Sequence, residues 1–163
     1  MATRRRIPME LRLTRPANEV TRPRRPVRPE DREDLAVLLY AAFRGTVDDE
    51  GESFADALAE IDRTFDGGYG TFLPDCSFVV EQDEFLVSAC LIGLSEPGAV
   101  PLVLFSMTLP DAQRQGWARF LLHRSITALV DRGYTRLRLG VTEGNEPACA
   151  LYASLGFEEI PLS

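Results

Sequence analysis

One stretch constrains the fold of this chain more than any other: an apolar strand pattern joined by a short loop to a long helix pattern. The strand pattern covers residues 100–107, and the helix pattern runs from Gly116 to about Arg132. Pro110 removes a strand N–H and turns the chain out of the sheet before the loop begins. Gly116 and Ala118 leave the helix start without bulky side chains, so its free N–H groups and the helix dipole can bind an anion. An ordinary strand-to-helix turn also fits the pattern.

A second group of sequence features, a strand pattern followed by a short helix pattern, lies downstream and indicates a mixed sheet. Alternating apolar residues over 137–141 predict a strand, and because a helix precedes it, this strand should lie parallel to the one at 100–107. Asn145 then caps a short helix that carries Tyr152. Ligands of open sheets bind at the carboxyl ends of such strands. Both motifs should therefore meet at one end of the sheet.

The chain before these motifs predicts two helices and an antiparallel hairpin. One helix opens at Pro29 and ends near Gly45, and a second spans about residues 52–65. Strand patterns at 77–81 and 85–94 flank a turn and read as a hairpin. The predicted fold class is α/β, with a mixed α+β sheet.

Charge is divided unevenly between two parts of the chain. Residues 1–28 form an Arg- and Pro-rich N-terminal arm with a short strand pattern at 9–13, and residues 29–163 form one domain. Residues 1–32 hold ten arginines and four acids, a balance of +6, whereas the remainder balances at −13. The arm fits nucleic acid, a solubilising tail, or packing against the acidic body. Because the body has the wrong charge, nucleic acid is the least favoured of these partners.

Cysteine spacing and hydropathy argue against three classes of protein: metal-binding, membrane-spanning and secreted. Cys76, Cys90 and Cys149 are widely spaced, and with one histidine they form no metal-ligand pattern, so we expect no metal site. No apolar run approaches the roughly 20 residues that span a bilayer, and the N-terminus lacks the apolar region of a secretory signal. We expect a cytoplasmic protein without a membrane partner.

Two motifs, Gln113-x-x-Gly116-x-Ala118 and Asn145 through Tyr152-x-x-x-Gly156-Phe157, resemble the GNAT superfamily of acyl-CoA-dependent N-acetyltransferases. The resemblance is specific over about residues 105–157. It implies a GNAT-like acyl-CoA N-acyltransferase fold with a splayed central pair of parallel strands that holds acetyl-CoA. Carried over to this sequence, it assigns the cofactor to Met107, Thr108, Leu109, Gln113, Arg114, Gln115, Gly116, Trp117, Ala118, Arg119, Asn145 and Tyr152.

The resemblance also implies roles. The backbone of residues 113–119 would wrap the pyrophosphate of coenzyme A, and the backbone of residues 107–109 would pair with the pantetheine arm, which Asn145 also contacts. Gln113 stands where Arg is commoner, which weakens one phosphate contact. Trp117 is bulky where an aliphatic residue is usual, so it packs either under the adenine or in the core.

The implied reaction is transfer of acetyl from acetyl-CoA to a primary amine by direct attack in a ternary complex. Tyr152 would be the general acid that protonates the departing thiolate, although a core tyrosine fits the same position. Glu143 is the first candidate for the base, with Glu81 and Glu96 behind it. A surface carboxylate is the plain alternative for each. A non-catalytic acyl-CoA-binding sensor or interaction domain of the same fold is the competing function.

The acceptor is less constrained. Residues 46–70 carry eight acids and one arginine, which fits either a solvated helix face or an attraction for a cationic amine. This pattern favours a small cationic amine, and a protein N-terminus or lysine stays open. The terminal strand pair is short after Phe157. Either a neighbouring subunit, in a homodimer, or the N-terminal strand would cover that edge.

Overall fold

A computed structural model describes residues 5–17, 21–95 and 99–161 of the 163-residue chain. Glu96, one of the candidate bases, lies outside the described residues. The helices are α1 (Arg32–Phe43), α2 (Phe54–Phe65), α3 (Trp117–Asp131) and α4 (Glu146–Ser154). The strands are β1 (Arg6–Arg12), β2 (Arg25–Pro26), β3 (Thr71–Phe72), β4 (Phe78–Gln82), β5 (Phe85–Ser95), β6 (Val100–Thr108), β7 (Arg136–Thr142) and β8 (Glu158–Glu159). No described helix has the length and apolarity that a bilayer crossing needs.

These strands form one mixed sheet, as predicted, and helices pack on both of its faces. The order is β2-β4-β5-β6-β7-β1-β8, and β3 pairs with β5. Strand β5 is buried on both faces, which explains its nearly unbroken apolar sequence. Its alternate residues divide between two cores: Cys90 and Ile92 join the core that includes α3, and Ala89 and Leu91 join the core that includes α1 and α2.

Helix α2 is placed by its own first turn. The Ser53 hydroxyl accepts a hydrogen bond from the Asp56 N–H at 3.1 Å, and the Asp56 carboxylate accepts one from the Ser53 N–H at 2.8 Å. This reciprocal cap satisfies two N–H groups that a helix start leaves without partners. It fixes the direction in which the acid-rich α2 leaves the preceding loop.

The parallel pair predicted from the sequence is β6 and β7, and the two strands separate soon after they meet. Their register is a single pair, Leu102 opposite Arg138. On the other side of β6, Leu91 of β5 pairs with Phe105 while the next residue, Ile92, pairs with Val103. Leu104 is therefore the extra residue of a β-bulge, which bends β6 away from its neighbour.

Strand β1 is inserted between β7 and β8. It runs antiparallel to β7 from Arg6 opposite Thr142 to Arg12 opposite Arg136, and it also pairs with β8. The N-terminal strand thus covers the edge left by the short terminal pair, which is one of the two arrangements expected. Its observed bounds begin three residues before the predicted 9–13. The division of the chain at residues 28 and 29 stays a prediction.

Candidate active site

A cavity of about 1170 Å³ opens where β6 and β7 diverge. Its floor is formed by residues 103–106 of β6 and 139–142 of β7, and one side carries Asn145, Ala148 and Tyr152. The opposite side is formed by the end of α1, the loop that follows it, and α2. Typical pockets for single small ligands measure roughly 300–1000 Å³. The cleft therefore has room for the reacting ends of two substrates.

Tyr152 lies at the floor of this cleft, on α4. It is 8% exposed, its ring packs edge-on against Phe157 at 5.7 Å between centroids, and its hydroxyl shares a hydrogen bond with Ser106. Burial raises the pKa of Tyr152 to about 12, an effect that nearby Arg6 opposes. The hydroxyl therefore stays protonated at neutral pH. Sequence reasoning singled out Tyr152, and the structure adds Ser106 as its partner.

The buried Cys90 thiol, which influences the pKa of Tyr152, is not a nucleophile. Cys90 is 1% exposed, and burial raises its pKa to about 12. A thiol held protonated in an apolar core does not attack a thioester at neutral pH. This agrees with a direct attack on the thioester rather than a covalent enzyme intermediate.

Asp48 brings a carboxylate to the same cleft from the loop after α1. It accepts a short hydrogen bond from the Thr142 hydroxyl and a longer one, at 3.4 Å, from the Asn145 side-chain amide. Asn145 also accepts a hydrogen bond from the Ala148 N–H at 3.3 Å, so it caps α4 as predicted. Asp48 thus joins the loop to both β7 and α4. In the sequence it was only one of eight acids, without a local signal to distinguish it.

Arg6 adds a positive charge that sequence reasoning missed. Its guanidinium donates to the Thr142 hydroxyl at 3.0 Å, so this one hydroxyl links Arg6 to Asp48. The guanidinium lies over Gly140, where an added Cβ would come within 3.3 Å of it. Arg6 and Thr142 are 136 residues apart. Only the strand insertion of β1 brings them together, and no local pattern reveals it.

The other acids around the cleft are mostly engaged within their own segments. Asp49 accepts hydrogen bonds from two backbone N–H groups of its loop. Glu60 pairs with Arg63 at 3.2 Å and accepts a hydrogen bond from the Tyr69 hydroxyl. These contacts shape the loop and α2. They leave Asp48 as the acid tied directly to the floor of the cleft.

The two other candidate bases lie elsewhere. Glu143 is exposed and outside the lining of the cleft, and its backbone N–H donates to the Arg5 carbonyl at 2.8 Å. Glu81 forms an ion pair with Arg25 at 2.9 Å at the far side of the sheet. The structure therefore does not bring either carboxylate to Tyr152.

The loop at residues 113–118 forms a separate region at the start of α3, outside the lining of the cavity. Arg114 and Gly116 have left-handed backbone, with φ of 64° and 81°. No described residue accepts a hydrogen bond from the backbone N–H groups of residues 114–119. Successive free N–H groups around a left-handed residue form a concave site for an anion. The loop therefore suits the pyrophosphate of an acyl-CoA.

Side chains near this loop are partly engaged. Arg119 donates to the Ser154 hydroxyl at 2.6 Å. Trp117 is 5% exposed and donates to the Gln115 side-chain oxygen at 3.1 Å, so the structure places it in the core. Gln113 donates weakly to the Thr108 carbonyl at 3.4 Å. Of these three side chains only Arg119 carries a guanidinium, and one of its nitrogens is engaged by Ser154.

The end of β6 offers one backbone position to a ligand. The Leu109 N–H already donates to the Val87 carbonyl at 2.9 Å, and Met107 pairs with Ala89. Because N–H groups alternate along a strand, the Thr108 N–H faces the opposite, open edge. Of the predicted range 107–109, Thr108 is therefore the residue best placed to pair with an added strand-like ligand.

Comparisons with known proteins agree with this architecture. The Acetyltransferase (GNAT) family matches residues 32–157. The [ribosomal protein bS18]-alanine N-acetyltransferase of Salmonella typhimurium is 33% identical over 109 residues, which is 66% of this chain and 70% of that enzyme. The family match includes the loop at residues 113–118 and helix α4.

Solved structures give the same result for the fold. The ribosomal-protein-alanine N-acetyltransferase of Brucella melitensis is 25% identical, with a TM-score of 0.66 over 85% of each chain. The aminoglycoside N-acetyltransferase AAC(6')-Iy, solved with a CoA-containing bisubstrate analogue, has a TM-score of 0.63 at 16% identity, over 86% of this chain and 93% of that one. Together with the family match, these similarities show that the chain belongs to the GNAT family and is an acetyltransferase.

Proposed function

We propose that this protein transfers the acetyl group of acetyl-CoA to a positively charged primary amine by direct attack in a ternary complex. The observation that carries the proposal is that one cleft is lined both by the Tyr152–Ser106 hydroxyl pair and by the Asp48 carboxylate. One side can assist a leaving thiolate, and the other can receive an ammonium ion. Holding two reactants in this way can lower the activation free energy by roughly 7–11 kcal/mol.

Acetyl-CoA supplies the activated thioester. The free N–H groups of residues 114–119 would hold its pyrophosphate, and the open edge at Thr108 would pair with its pantetheine arm. The structural neighbour solved with a CoA-containing analogue supports this choice of donor. The predicted contact of pantetheine with Asn145 is compatible with the position of that side chain in the cleft.

The acceptor side must hold an ammonium ion and remove a proton. A lysine-like amine has a pKa of about 10.4 and an α-amine one of about 8, so both are largely charged at neutral pH. Asp48 offers a carboxylate held in place by Thr142 and Asn145. We assign to Asp48, rather than to the exposed Glu143, the binding of the ammonium, whose proton leaves to water before the neutral amine attacks.

The donor side must neutralise the departing sulfur. A thiol has a pKa of about 8.5, so complete proton transfer from a phenol with a pKa of about 12 is unfavourable. Tyr152 therefore assists by donating a hydrogen bond to the sulfur as charge develops. The guanidinium of Arg6 favours any negative charge that reaches the phenol oxygen. This refines the general-acid role expected for Tyr152.

The identity of the amine is open between two classes. The acids that surround the cleft favour a small cationic amine. Two relatives are named for acetylation of an alanine of a ribosomal protein, which favours a protein amine. These relatives also support a cytoplasmic location for this chain. The predicted homodimer stays a prediction.

A thiol-release assay with acetyl-CoA tests the proposal. The acceptors are a polyamine, an aminoglycoside, a peptide beginning with alanine, a lysine peptide and glycinamide, which carries no charge apart from its reacting amine. Mass spectrometry identifies the acetylated product. We expect release with at least one cationic acceptor and less with glycinamide. Tight binding of acetyl-CoA without release for any amine would instead favour the acyl-CoA-binding sensor.

A further inference from the structure

Arg22, in the segment between β1 and β2, lies directly over the loop at the start of α3. Its Nη1 donates to the Gln115 carbonyl at 2.9 Å. Its guanidinium carbon stands 3.4 Å from the centroid of the Trp117 ring and 5.7 Å from that of Phe120. A cation–aromatic contact of this kind holds a guanidinium flat while its edge remains available for hydrogen bonds.

The position of this guanidinium coincides with the open face of the loop. A Cβ built on Gly116 would lie 3.5 Å from Arg22 Nη1, and no other atom would come within 4 Å of it. The free N–H groups of residues 114–119 belong to the same turn. A cation and a set of N–H donors therefore surround one small volume.

Arg22 is a half-buried cation whose charge is not balanced nearby. No carboxylate among residues 5–17, 21–95 and 99–161 lies within ion-pair distance of it. Three other arginines of the N-terminal segment, by contrast, are paired with acids: Arg5, Arg15 and Arg25. Arg6, Arg12 and Arg24 also form no ion pair within these residues, and Arg22 differs from them in lying over the loop at the start of α3.

We propose that Arg22 binds the pyrophosphate of the CoA donor, and so supplies from the N-terminal segment the guanidinium that Gln113 lacks. The inference rests on the proposed function, because it requires CoA at this loop. Two N–H groups of a guanidinium match two phosphate oxygens, and such charge-assisted bonds are stronger than neutral ones. The stack on Trp117 would keep the guanidinium oriented while its hydrogen bond to the Gln115 carbonyl is exchanged for phosphate.

The alternative is that Arg22 is a strap that only fastens the N-terminal segment to α3. Both arrangements would show the same contacts to Gln115 and Trp117. They differ in the role of the Arg22 side chain. A purely structural contact would affect the stability of the fold, whereas a contact with phosphate would affect the affinity for CoA. The experiment must therefore measure both quantities in the same variants.

The matched pair is Arg22→Gln and Arg24→Gln. Arg24 is an exposed arginine two residues along the same segment, so its substitution removes the same net charge. Affinity for CoA is measured by calorimetric titration at low and high salt. Trp117, the single tryptophan, provides an independent fluorescence signal next to the proposed contact. Thermal unfolding reports the stability of each variant.

We expect Arg22→Gln to weaken CoA binding about tenfold at low salt and less at high salt, while Arg24→Gln changes it less than twofold. Dephospho-CoA, which lacks the 3′-phosphate, should show the same tenfold loss. A loss that disappears with dephospho-CoA would overturn the assignment to pyrophosphate. Unchanged affinity with a lowered unfolding temperature would overturn the proposal in favour of a strap. Failure of the unsubstituted protein to bind CoA would contradict the proposed function itself.

Discussion

The two halves of the candidate active site offer different kinds of chemical group to a ligand. The donor half, at residues 107–119, offers backbone N–H groups and a strand edge. The acceptor half offers charged side chains from separate elements: Asp48 from a loop and Arg6 from β1 meet at Thr142 of β7. Under the proposed function, the donor half would bind the CoA donor, and the acceptor half would determine which amine is used.

This difference also determines how substitutions act. Backbone groups are removed only by changing the conformation of the loop, so single substitutions there reduce affinity gradually. A side chain such as Tyr152 or Asp48 can be deleted outright. The acceptor half and the floor of the cleft should therefore show the largest losses of rate, and the donor half should show changes in affinity.

The largest effect should come from Tyr152→Phe. Loss of the hydroxyl removes the donor to the leaving sulfur, and we expect kcat to fall at least tenfold with little change in acetyl-CoA affinity. Steady-state kinetics and calorimetry measure the two quantities. Tyr134→Phe, outside the lining of the cleft, is the control. An unaltered kcat would remove Tyr152 from the mechanism.

The next effect should separate Asp48 from Glu143. Asp48→Asn keeps the shape of the side chain but loses the charge that attracts an ammonium, so kcat/KM for a cationic acceptor should fall about tenfold. The loss of kcat/KM should be smaller for an acceptor such as glycinamide, whose only charge is on its reacting amine. The same assay is applied to Glu143→Gln, and a larger loss there would return the base role to Glu143.

A smaller effect is expected in the donor half. Gly116→Ala forces a side chain into a left-handed conformation at φ 81°, which costs about 1–2 kcal/mol or moves the N–H groups. We expect acetyl-CoA to bind about fivefold more weakly. Gly133→Ala is the control for backbone strain, because Gly133, at the other end of α3, has a similar φ of 85° and no atom within 4 Å of an added Cβ. Equal changes in affinity for both variants would mean that general strain, not the loop, is responsible.

The smallest effect concerns stability at high pH. The pKa of Tyr152 is about 12 in the folded protein and about 10 when unfolded, so the unfolded chain loses this proton first. The stability contributed by the neutral phenol is present below pH 10 and is lost as pH rises towards 12. Between pH 9 and pH 11 the free energy of unfolding should fall by about 1 kcal/mol more in the unsubstituted protein than in Tyr152→Phe. Urea unfolding measures this, and parallel curves would show that burial does not shift the pKa.

The sequence predicted the donor half well because its signals are local. The run from the β6 strand through Pro110 and Gly116 to α3, and the cap at Asn145, each depend on neighbouring residues, and the structure has each of these elements. The parallel pairing of β6 with β7 followed from the helix between them. Local helix and strand signals and the known geometry of helical crossovers were sufficient to predict these elements and their parallel pairing.

The acceptor half and the sheet edges could not be predicted in the same way. The pairing of Arg6 with Thr142 depends on which strand fills an edge, and the bulge at Leu104 depends on register between strands. Short strands β2 and β3, of two residues each, carry no periodicity. Neither Asp48 nor Arg22 differs in local sequence from its charged neighbours. Their roles arise from contacts across the fold, so only the structure reveals them.

The insertion of β1 between β7 and β8 has a consequence for how the protein is made. Arg6 is translated before its partner Thr142, which follows 136 residues later. At usual synthesis rates of 5–20 residues per second, β1 waits roughly 7–27 seconds for β7. Long-range strand pairing of this kind is also slow to form. The cleft is therefore completed only after β7 has been synthesised, by a strand that was made well over a hundred residues earlier.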